Sequence, residues 1–309
     1  MKFLDKIRRH LSNPKGTFYL LIVLLNKRVP WLFSDKICVK AQYYVSLKEN
    51  LDLKSPKTFN EKLQWLKLFY RRPELTLYVD KIKVKDIIVK SGVHLSIIPT
   101  IGVYDKFDDI DFDSLPSQFV LKTNHDSASV IICKDKNSIN KKELRRTLNK
   151  SLRTNFYLKS REWPYKYVPR RIFAEEYIQT NDGEDLKDYK FFCFSGKVHF
   201  FKVDFDRFTN HHANYYDRKG ELMPFYETLC PQDNTKNIVF PENLNEMIHI
   251  SEELSQTFPF ARVDLYNVGG KIFFGEMTFF PAAGTGIIVP KEWNYIIGEM
   301  IHLPEEKYY

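Results

Sequence analysis

The stretch ARVDLYNVGGKIFFGEMTFFPAAG (261–284) constrains the fold most, because two apolar segments flank a Gly-Gly pair. This pattern predicts two antiparallel strands joined by a tight turn. Polar residues nevertheless stand inside both strands: Arg262 and Asp264 in the first, Glu276 and Thr278 in the second. Because side chains alternate between the two faces of a strand, we expect each pair to share a face.

The register of this hairpin decides what the polar groups can do. With a three-residue turn around Gly270, Asp264 lies opposite Glu276 and Arg262 lies opposite Thr278, whereas a two-residue Gly-Gly turn shifts the pairing by one. Facing carboxylates repel each other unless a cation sits between them, and Mg²⁺ takes carboxylate oxygens together with substrate phosphates. A cross-strand ion pair of Arg262 with either acid is the purely structural alternative.

Composition favours a globular protein with anionic partners. The 309 residues are 43% hydrophobic and carry a net charge of +8. Nucleotides, acidic sugars or membrane lipid fit this charge, whereas nucleic acid fits poorly because the basic residues are dispersed and no recognised module occurs. The four cysteines are far apart in sequence, which favours reduced thiols in the cytoplasm over a metal motif.

The N-terminal region allows two interpretations. The basic MKFLDKIRRH precedes the apolar FYLLIVLL (18–25), which is too short for a bilayer crossing of about 20 residues. The segment is either a helix packed on the body of the protein or, within residues 1–30, a peripheral contact with the inner face of the membrane.

The rest of the chain predicts interspersed helices and hairpins. Helices are expected within 55–70, 80–92, 137–156 and 241–258, and strands within 94–105, 118–122, 130–134 and 170–178. A hairpin is expected over 188–206 around Ser195-Gly196. Since no βαβ rhythm is visible, the order predicts an α+β protein with largely antiparallel sheets.

Two further segments suit nucleotide binding. Lys122 ends an apolar strand directly before the small-residue loop NHDSAS (124–129), an arrangement that suits phosphate. Glu175-Glu176-Tyr177-Ile178 suits an adenine cleft. A solvated lysine at a strand end and an ordinary strand terminus are the respective structural alternatives.

Taken together and in order, the segments resemble the ATP-grasp superfamily and, more narrowly, the TupA-like ATP-grasp proteins of bacterial surface-polysaccharide biosynthesis. The stretches that carry the resemblance are KTFNEKLQWLKLF, FVLKTNHDSASVIICKD, SREWPYK, DLKDYKFFCFSGK, DFDRFTNH and FARVDLYNVGGKIFFGEMTFFPAAG. The resemblance implies an ATP-grasp fold of two α+β subdomains with mostly antiparallel sheets that clasp ATP, plus a basic N-terminal helical extension. It implies an extension over 1–50, an N-terminal subdomain over 51–115, a lid over 116–180 and a catalytic subdomain over 181–309.

The resemblance also implies roles for individual residues. Phosphate and loop contacts fall on Lys85, Lys122, Ser127 and Ser129. Contacts to adenine and ribose fall on Glu176, Tyr177, Ile178 and Asp188. The resemblance assigns the transferred phosphoryl group to Arg262, and Lys190 falls where a basic phosphate contact lies. Mg²⁺ is assigned to Asp264, Glu276 and Thr278. Two positions depart from the superfamily: Thr278 replaces a common asparagine, and Ala128 stands where the loop commonly carries glycine.

The implied cofactors are ATP and Mg²⁺, and the implied reaction joins a carboxylate to an amine through an acylphosphate. An acidic sugar or glycan precursor, such as a uronic acid, and an amine are the expected substrates. At the acceptor end, Arg207 is expected to hold a carboxylate, and His211 or His212 to accept a proton; His125 is a further candidate. The alternatives are a glycosyltransferase using DFD (204–206), a sugar kinase on the same fold, and a non-enzymatic adaptor at the membrane surface.

Overall fold

The computed structural model describes residues 13–126, 129–179, 186–205 and 211–308. The helices are α1 Pro14–Asn26, α2 Asp35–Leu47, α3 Phe59–Phe69, α4 Leu75–Val79, α5 Lys83–Ser91, α6 Lys141–Arg153, α7 Phe156–Ser160, α8 Leu244–Ser255 and α9 Glu292–Glu299. The strands are β1 Ser96–Ile97, β2 Thr100–Tyr104, β3 Phe119–Thr123, β4 Ile131–Cys133, β5 Ile172–Glu176, β6 Asp188–Phe194, β7 Lys197–Phe205, β8 His212–Asp217, β9 Tyr226–Glu227, β10 Phe260–Val268, β11 Lys271–Thr278 and β12 Ile288–Val289. Short 3₁₀ turns cover Phe107–Asp109, Lys136–Ser138, Trp163–Tyr167 and Pro281–Gly284.

The larger sheet has six strands in the order β1-β11-β10-β6-β7-β8, antiparallel except for the β1–β11 pair. Helix α8 packs on β6, β7 and β10. The predicted hairpin over 188–206 is confirmed: β6 and β7 flank Ser195 and Gly196, whose φ angles are 48° and 77°. Phenylalanines of these strands fill the main core, including Phe191, Phe201 and Phe260.

The smaller of the two main sheets has four strands in the order β2-β5-β3-β4, all antiparallel, and β12 and β9 form a separate two-stranded sheet. The basic helix α6 packs on β3 and buries Leu144 and Leu148, which are four residues apart and therefore lie on one face of the helix. The segment 94–105, read from sequence as a strand with turns, divides at Pro99: β1 joins the larger sheet and β2 the smaller one.

Local signals place the predicted helices correctly. Helix α3 begins at a capping box, in which the Thr58 side chain accepts a hydrogen bond from Glu61 N and the Glu61 carboxylate accepts one from Thr58 N. Helix α5 ends at Gly92, which adopts φ 75°. The mixed architecture confirms the expected α+β fold with antiparallel sheets and an N-terminal helical extension.

The extension consists of α1 and α2, which pack on each other. In the part of the chain described here, no helix has the length and apolar character needed to cross a bilayer. All four cysteines lie within the described ranges, and each is buried and free of a disulfide.

Candidate active site

The β10–β11 hairpin brings its two carboxylates face to face. Asp264 pairs with Glu276 and Arg262 with Thr278, which confirms the predicted pairing. The predicted three-residue turn is wrong, because the pair Val268–Lys271 leaves a two-residue Gly-Gly turn.

A bulge reconciles this short turn with the observed pairs. The register shifts between Asp264 and Leu265, and Gly275 is the extra residue of β11. A Cβ atom on Gly275 would lie 2.8 Å from the Asp264 carbonyl oxygen. A glycine is therefore required where the bulge restores the alignment of the two acids.

The polar residues form a row across four neighbouring strands. The registers align Glu276 with Asp264, Asp264 with Lys190, and Lys190 with Lys202. Neighbouring strands are about 4.8 Å apart, so the row places two acids beside two lysines on one face of the sheet. Lys202 was not among the predicted site residues. Its sequence neighbourhood offered a signal, because Lys202 and Asp204 are two residues apart in β7, as Asp188 and Lys190 are in β6.

Lys190 is the centre of this row. Its ammonium lies 2.9 Å from an Asp264 oxygen and 3.4 Å from an Asp204 oxygen, and it also bonds to Asp188. Burial acts to lower the pKa of Lys190, but the surrounding carboxylates, led by Asp188 and Asp264, raise it above its ordinary value. Lys190 is therefore a permanently charged cation held inside the protein.

Arg262 spans the hairpin. Its guanidinium donates two hydrogen bonds of 2.7 Å to Asp264 and lies 3.1 Å from the Thr278 hydroxyl. A longer contact of 3.4 Å reaches Glu276. The ion-pair alternative thus describes the observed contacts, and Arg262 bonds to both acids that are expected to hold a metal.

Lys81 is a site residue that the sequence interpretation missed. Its ammonium lies 2.9 Å from the Glu276 carboxylate. Burial acts to raise the pKa of Glu276, but Lys81 and then Arg262 hold it well below its usual range. The segment DKIKVK (80–85) contains Lys81, but the resemblance implies a role in ATP binding only for Lys85.

Lys85 and Lys122, both assigned to ATP phosphates, meet on one acid. Their ammonium groups lie 2.5 Å and 2.6 Å from the two oxygens of Glu175. Burial favours the neutral acid, yet Lys122 and then Lys85 lower the pKa of Glu175 below its ordinary value. Lys81, just before α5, thus contacts the larger sheet, and Lys85, within α5, contacts the smaller one.

The residues expected around the base and ribose lie at strand ends. Glu176 is exposed at the end of β5, its N–H donates to the Pro99 carbonyl, and Tyr177 and Ile178 follow it. Asp188 begins β6 and is engaged by Lys190. Their contacts with a nucleotide remain predictions.

The expected phosphate loop is only partly described. Ser129 is buried, and its hydroxyl donates to an Asp126 oxygen at 2.6 Å. His125 is also buried, with Nε2 3.2 Å from the Ser151 carbonyl oxygen, as a structural histidine would be. The predictions for Ser127 and Ala128 lie outside the described residues.

Of the segment predicted to bind the acceptor, the structure describes Asp204 and His211, and the prediction for Arg207 lies outside the described residues. His211 Nε2 lies 3.4 Å from an Asp204 oxygen, and Lys202 lies 3.1 Å from the same oxygen. Asp204, His211 and Cys230 each offer a potential ligand atom, all within 4.8 Å of one another.

A cavity of about 30 Å³ adjoins the polar row. Its charged lining consists of Lys202, Arg262 and Glu227, and aromatic rings including Tyr215 and Phe225 form much of its wall. Gly286 closes one side, where a Cβ atom would lie 1.7 Å from a Glu227 carboxylate oxygen. The cavity therefore offers cationic and anionic groups inside a largely apolar enclosure.

The sequence matches the family model of the TupA-like ATP-grasp proteins over residues 61–302. The chain therefore belongs to the TupA-like ATP-grasp family, as its motifs predict. Its six-stranded and four-stranded sheets, mostly antiparallel, are accordingly those of an ATP-grasp fold. A search of curated proteins found no significant match.

Solved structures show remote likenesses. The D-alanine–D-alanine ligase from Bacillus anthracis, complexed with ATP, is 19% identical with a TM-score of 0.38, and the alignment covers 66% of this chain and 55% of that one. The Helicobacter pylori D-alanine–D-alanine ligase is 12% identical, with a TM-score of 0.43 and coverages of 79% and 69%. The L-amino acid ligase from Bacillus licheniformis is 14% identical, with a TM-score of 0.39 and coverages of 67% and 44%. The chain thus spans about half the length of the first of these proteins, and its family membership comes from the family model.

Proposed function

We propose that the protein is an ATP-dependent carboxylate–amine ligase that forms an amide during surface-polysaccharide biosynthesis. The observation that carries this proposal is the row Glu276–Asp264–Lys190–Lys202, flanked by Arg262. The row combines acids for a metal with cations for a phosphoryl group on a rigid sheet, and such preorganisation favours phosphoryl transfer.

We propose that ATP binds between the larger and the smaller of the two main sheets. The ammonium groups of Lys85 and Lys122 both lie within 2.6 Å of the Glu175 carboxylate, so they are close enough together to bind one anionic group. We propose that the phosphates of ATP replace Glu175 as their partner. The end of β5, from Glu176 to Ile178, would hold the adenine, and Asp188 the ribose. We propose that the smaller sheet serves as the lid over the nucleotide.

The donor set at the hairpin fits Mg²⁺. Asp264 and Glu276 present carboxylates from paired positions, and the Thr278 hydroxyl adds a third oxygen, the ligand type that this hard cation takes. When bound, Mg²⁺ supplies positive charge that offsets the charge of the phosphates. Arg262 and Lys190 would then be released from the acids to hold the transferred group.

The reaction proposed for this site has two steps. A substrate carboxylate attacks the γ-phosphorus of ATP, giving an acylphosphate and ADP, while Arg262 and Lys190 stabilise the negative charge. An amine then displaces phosphate and loses its proton, for which His211, oriented by Asp204, is the proposed acceptor. The phosphate is a far better leaving group than the carboxylate oxygen that it replaces.

We propose that the small cavity beside Arg262 marks the inner end of the acceptor site, because about 30 Å³ has room for about one or two water molecules and not for a sugar. Lys202 in its lining can bind a substrate carboxylate, such as that of a uronic acid, and Glu227 can bind an ammonium group. The surrounding aromatic rings exclude water, which limits hydrolysis of an acylphosphate. We place the reaction in the cytoplasm, where ATP is supplied.

The first experiment is calorimetry of Mg·ATP binding to the wild type and to Glu276→Gln, with UDP-sugars titrated in parallel. We expect magnesium-dependent ATP binding that the substitution weakens. Binding of a UDP-sugar in place of ATP would instead support a glycosyltransferase and overturn the proposal.

A screen of uronic acids and amines for ADP release then tests the reaction. A ligase releases ADP and inorganic phosphate only when both substrates are present, whereas a sugar kinase releases ADP without an amine and leaves phosphate on the sugar. Lys202→Met should raise the KM for the acid without weakening ATP binding, while the exposed Lys197→Met serves as a control from the same strand.

A further inference from the structure

Six large apolar side chains near the start of the described chain are exposed, and we call them the apolar platform: Phe18, Leu21, Leu24, Trp31, Leu32 and Ile37. Trp31 is 79% exposed, and Phe18 and Leu32 are each 59% exposed. A helix that packed its apolar side on the body of the protein would bury such residues. Helix α1, which the structure describes completely, instead buries Ile22 and Asn26.

Polar contacts connect α1 and the start of α2, which with the segment between them carry the apolar platform, to residues 157–161. Asn26 donates a hydrogen bond of 3.0 Å to the Leu158 carbonyl and accepts one from Arg161. Arg161 lies 3.0 Å from Asp35, which also accepts a 2.8 Å bond from the Tyr157 hydroxyl. The exposure of the apolar side chains is therefore a property of docked helices and not of a frayed end.

Four exposed cations lie in the same stretch of the chain as the apolar platform. Lys15, Lys27, Arg28 and Lys36 are exposed, and residues 13–34 contain no acidic residue. The adjoining Asp35 is already paired with Arg71 at 2.6 Å and with Arg161. Residues 13–34 thus combine exposed apolar and cationic groups, and the adjoining acid is already paired.

We propose that the apolar platform docks the protein on an anionic lipid surface. Tryptophan prefers the boundary between headgroups and acyl chains, and each nearby lysine or arginine adds attraction to anionic lipids. Two copies of the chain would not pair well through this face, since their cationic rims repel each other. The inference is independent of the proposed ligase activity.

The experiment is co-sedimentation of the full-length protein with vesicles of mixed phosphatidylcholine and phosphatidylglycerol, and with vesicles of phosphatidylcholine alone. We expect binding to the anionic vesicles that falls as salt increases, because salt screens exposed charges. The double substitution Trp31→Ser/Leu32→Ser and the charge variant Lys27→Gln/Arg28→Gln should each weaken that binding about tenfold or more.

The matched control replaces equally exposed apolar residues elsewhere: Val239, which is 79% exposed, and Leu229, which is 73% exposed, both changed to serine. Circular dichroism and Mg·ATP binding show whether each variant remains folded. The inference is overturned if the folded wild type ignores anionic vesicles, or if Val239→Ser/Leu229→Ser reduces binding as much as the platform variants do. It is also overturned if sedimentation velocity shows a dimer that Trp31→Ser/Leu32→Ser dissociates while vesicle binding is unchanged.

Discussion

Asp264 and Glu276 face each other across β10 and β11 because Gly275 bulges out of the ladder between them and the turn. Without the bulge, the two-residue turn would pair Asp264 with Gly275 and displace Glu276 by one position. A one-residue displacement sends a side chain to the opposite face of a sheet. The facing acids therefore depend on a glycine that contributes no side chain.

Gly275→Ala should disturb the facing acids more than it disturbs the fold. The added Cβ meets backbone 2.8 Å away, and we expect a loss of about 1–3 kcal/mol in the free energy of unfolding. Gly270→Ala is the control. Its φ of 81° makes alanine unfavourable there, so a similar loss of stability is expected, but no other atom lies within 4 Å of the added Cβ. Urea unfolding and magnesium titrations of ATP binding should show that only Gly275→Ala raises the magnesium requirement; equal requirements would contradict the role of the bulge.

Lys81→Met should weaken Mg·ATP binding and raise the pKa of Glu276. Lys81 is the first among the cations that keep this partly buried acid ionised, and without it the cost of partial burial is less well offset. ATP binding should then become more sensitive to acid than in the wild type. Calorimetry across a pH series measures the effect, and Lys83→Met, an exposed neighbour two residues away, should behave as the wild type.

Glu175→Gln should lower the free energy of unfolding at neutral pH by about 3 kcal/mol, because Lys85 and Lys122 lose their shared buried partner. The folded-state pKa of Glu175 is lowered, so its contribution is present above the ordinary value of about 4.3 and is lost as pH falls through the folded-state value. The difference between wild type and variant should therefore shrink below about pH 4.

ATP supplies an experimental check on the same pair of lysines. Its phosphates would replace the missing carboxylate, so ATP should raise the Tm of Glu175→Gln by more than that of the wild type. Glu143→Gln, which removes only a surface contact of 3.9 Å with Arg146, should change neither quantity. An ATP-induced shift no larger than in the wild type would contradict the proposed exchange of partners.

Thr278→Asn should lower the magnesium concentration needed for ATP binding, since a carboxamide oxygen reaches further than the threonine hydroxyl. Thr278→Val should raise it, because the variant keeps the shape but removes an oxygen that lies 3.1 Å from Arg262. Magnesium titrations at fixed ATP compare the two variants. If both shift the midpoint in the same direction, Thr278 does not serve as a metal ligand.

Local patterns in the sequence determined the strands and helices that were predicted and the polar face of the hairpin. Alternation along β10 and β11 assigned Arg262 and Asp264 to one face, and the capping box at Thr58 positioned α3. These features can be predicted from sequence because they depend on residues that are only a few positions apart. The motif order likewise indicated the family, which the family model confirms.

Only the tertiary structure decided which charges meet. Lys202 joins the row because β7 lies beside β6, and Lys81 reaches Glu276 although 195 positions separate them in the numbering of the chain. The apolar side of α1 faces outward because Asn26 and Arg161 fix the orientation of the helix. Sheet order and helix docking bring together residues that are distant in sequence. Local periodicity cannot predict such contacts, because it depends only on residues that are near one another in the chain.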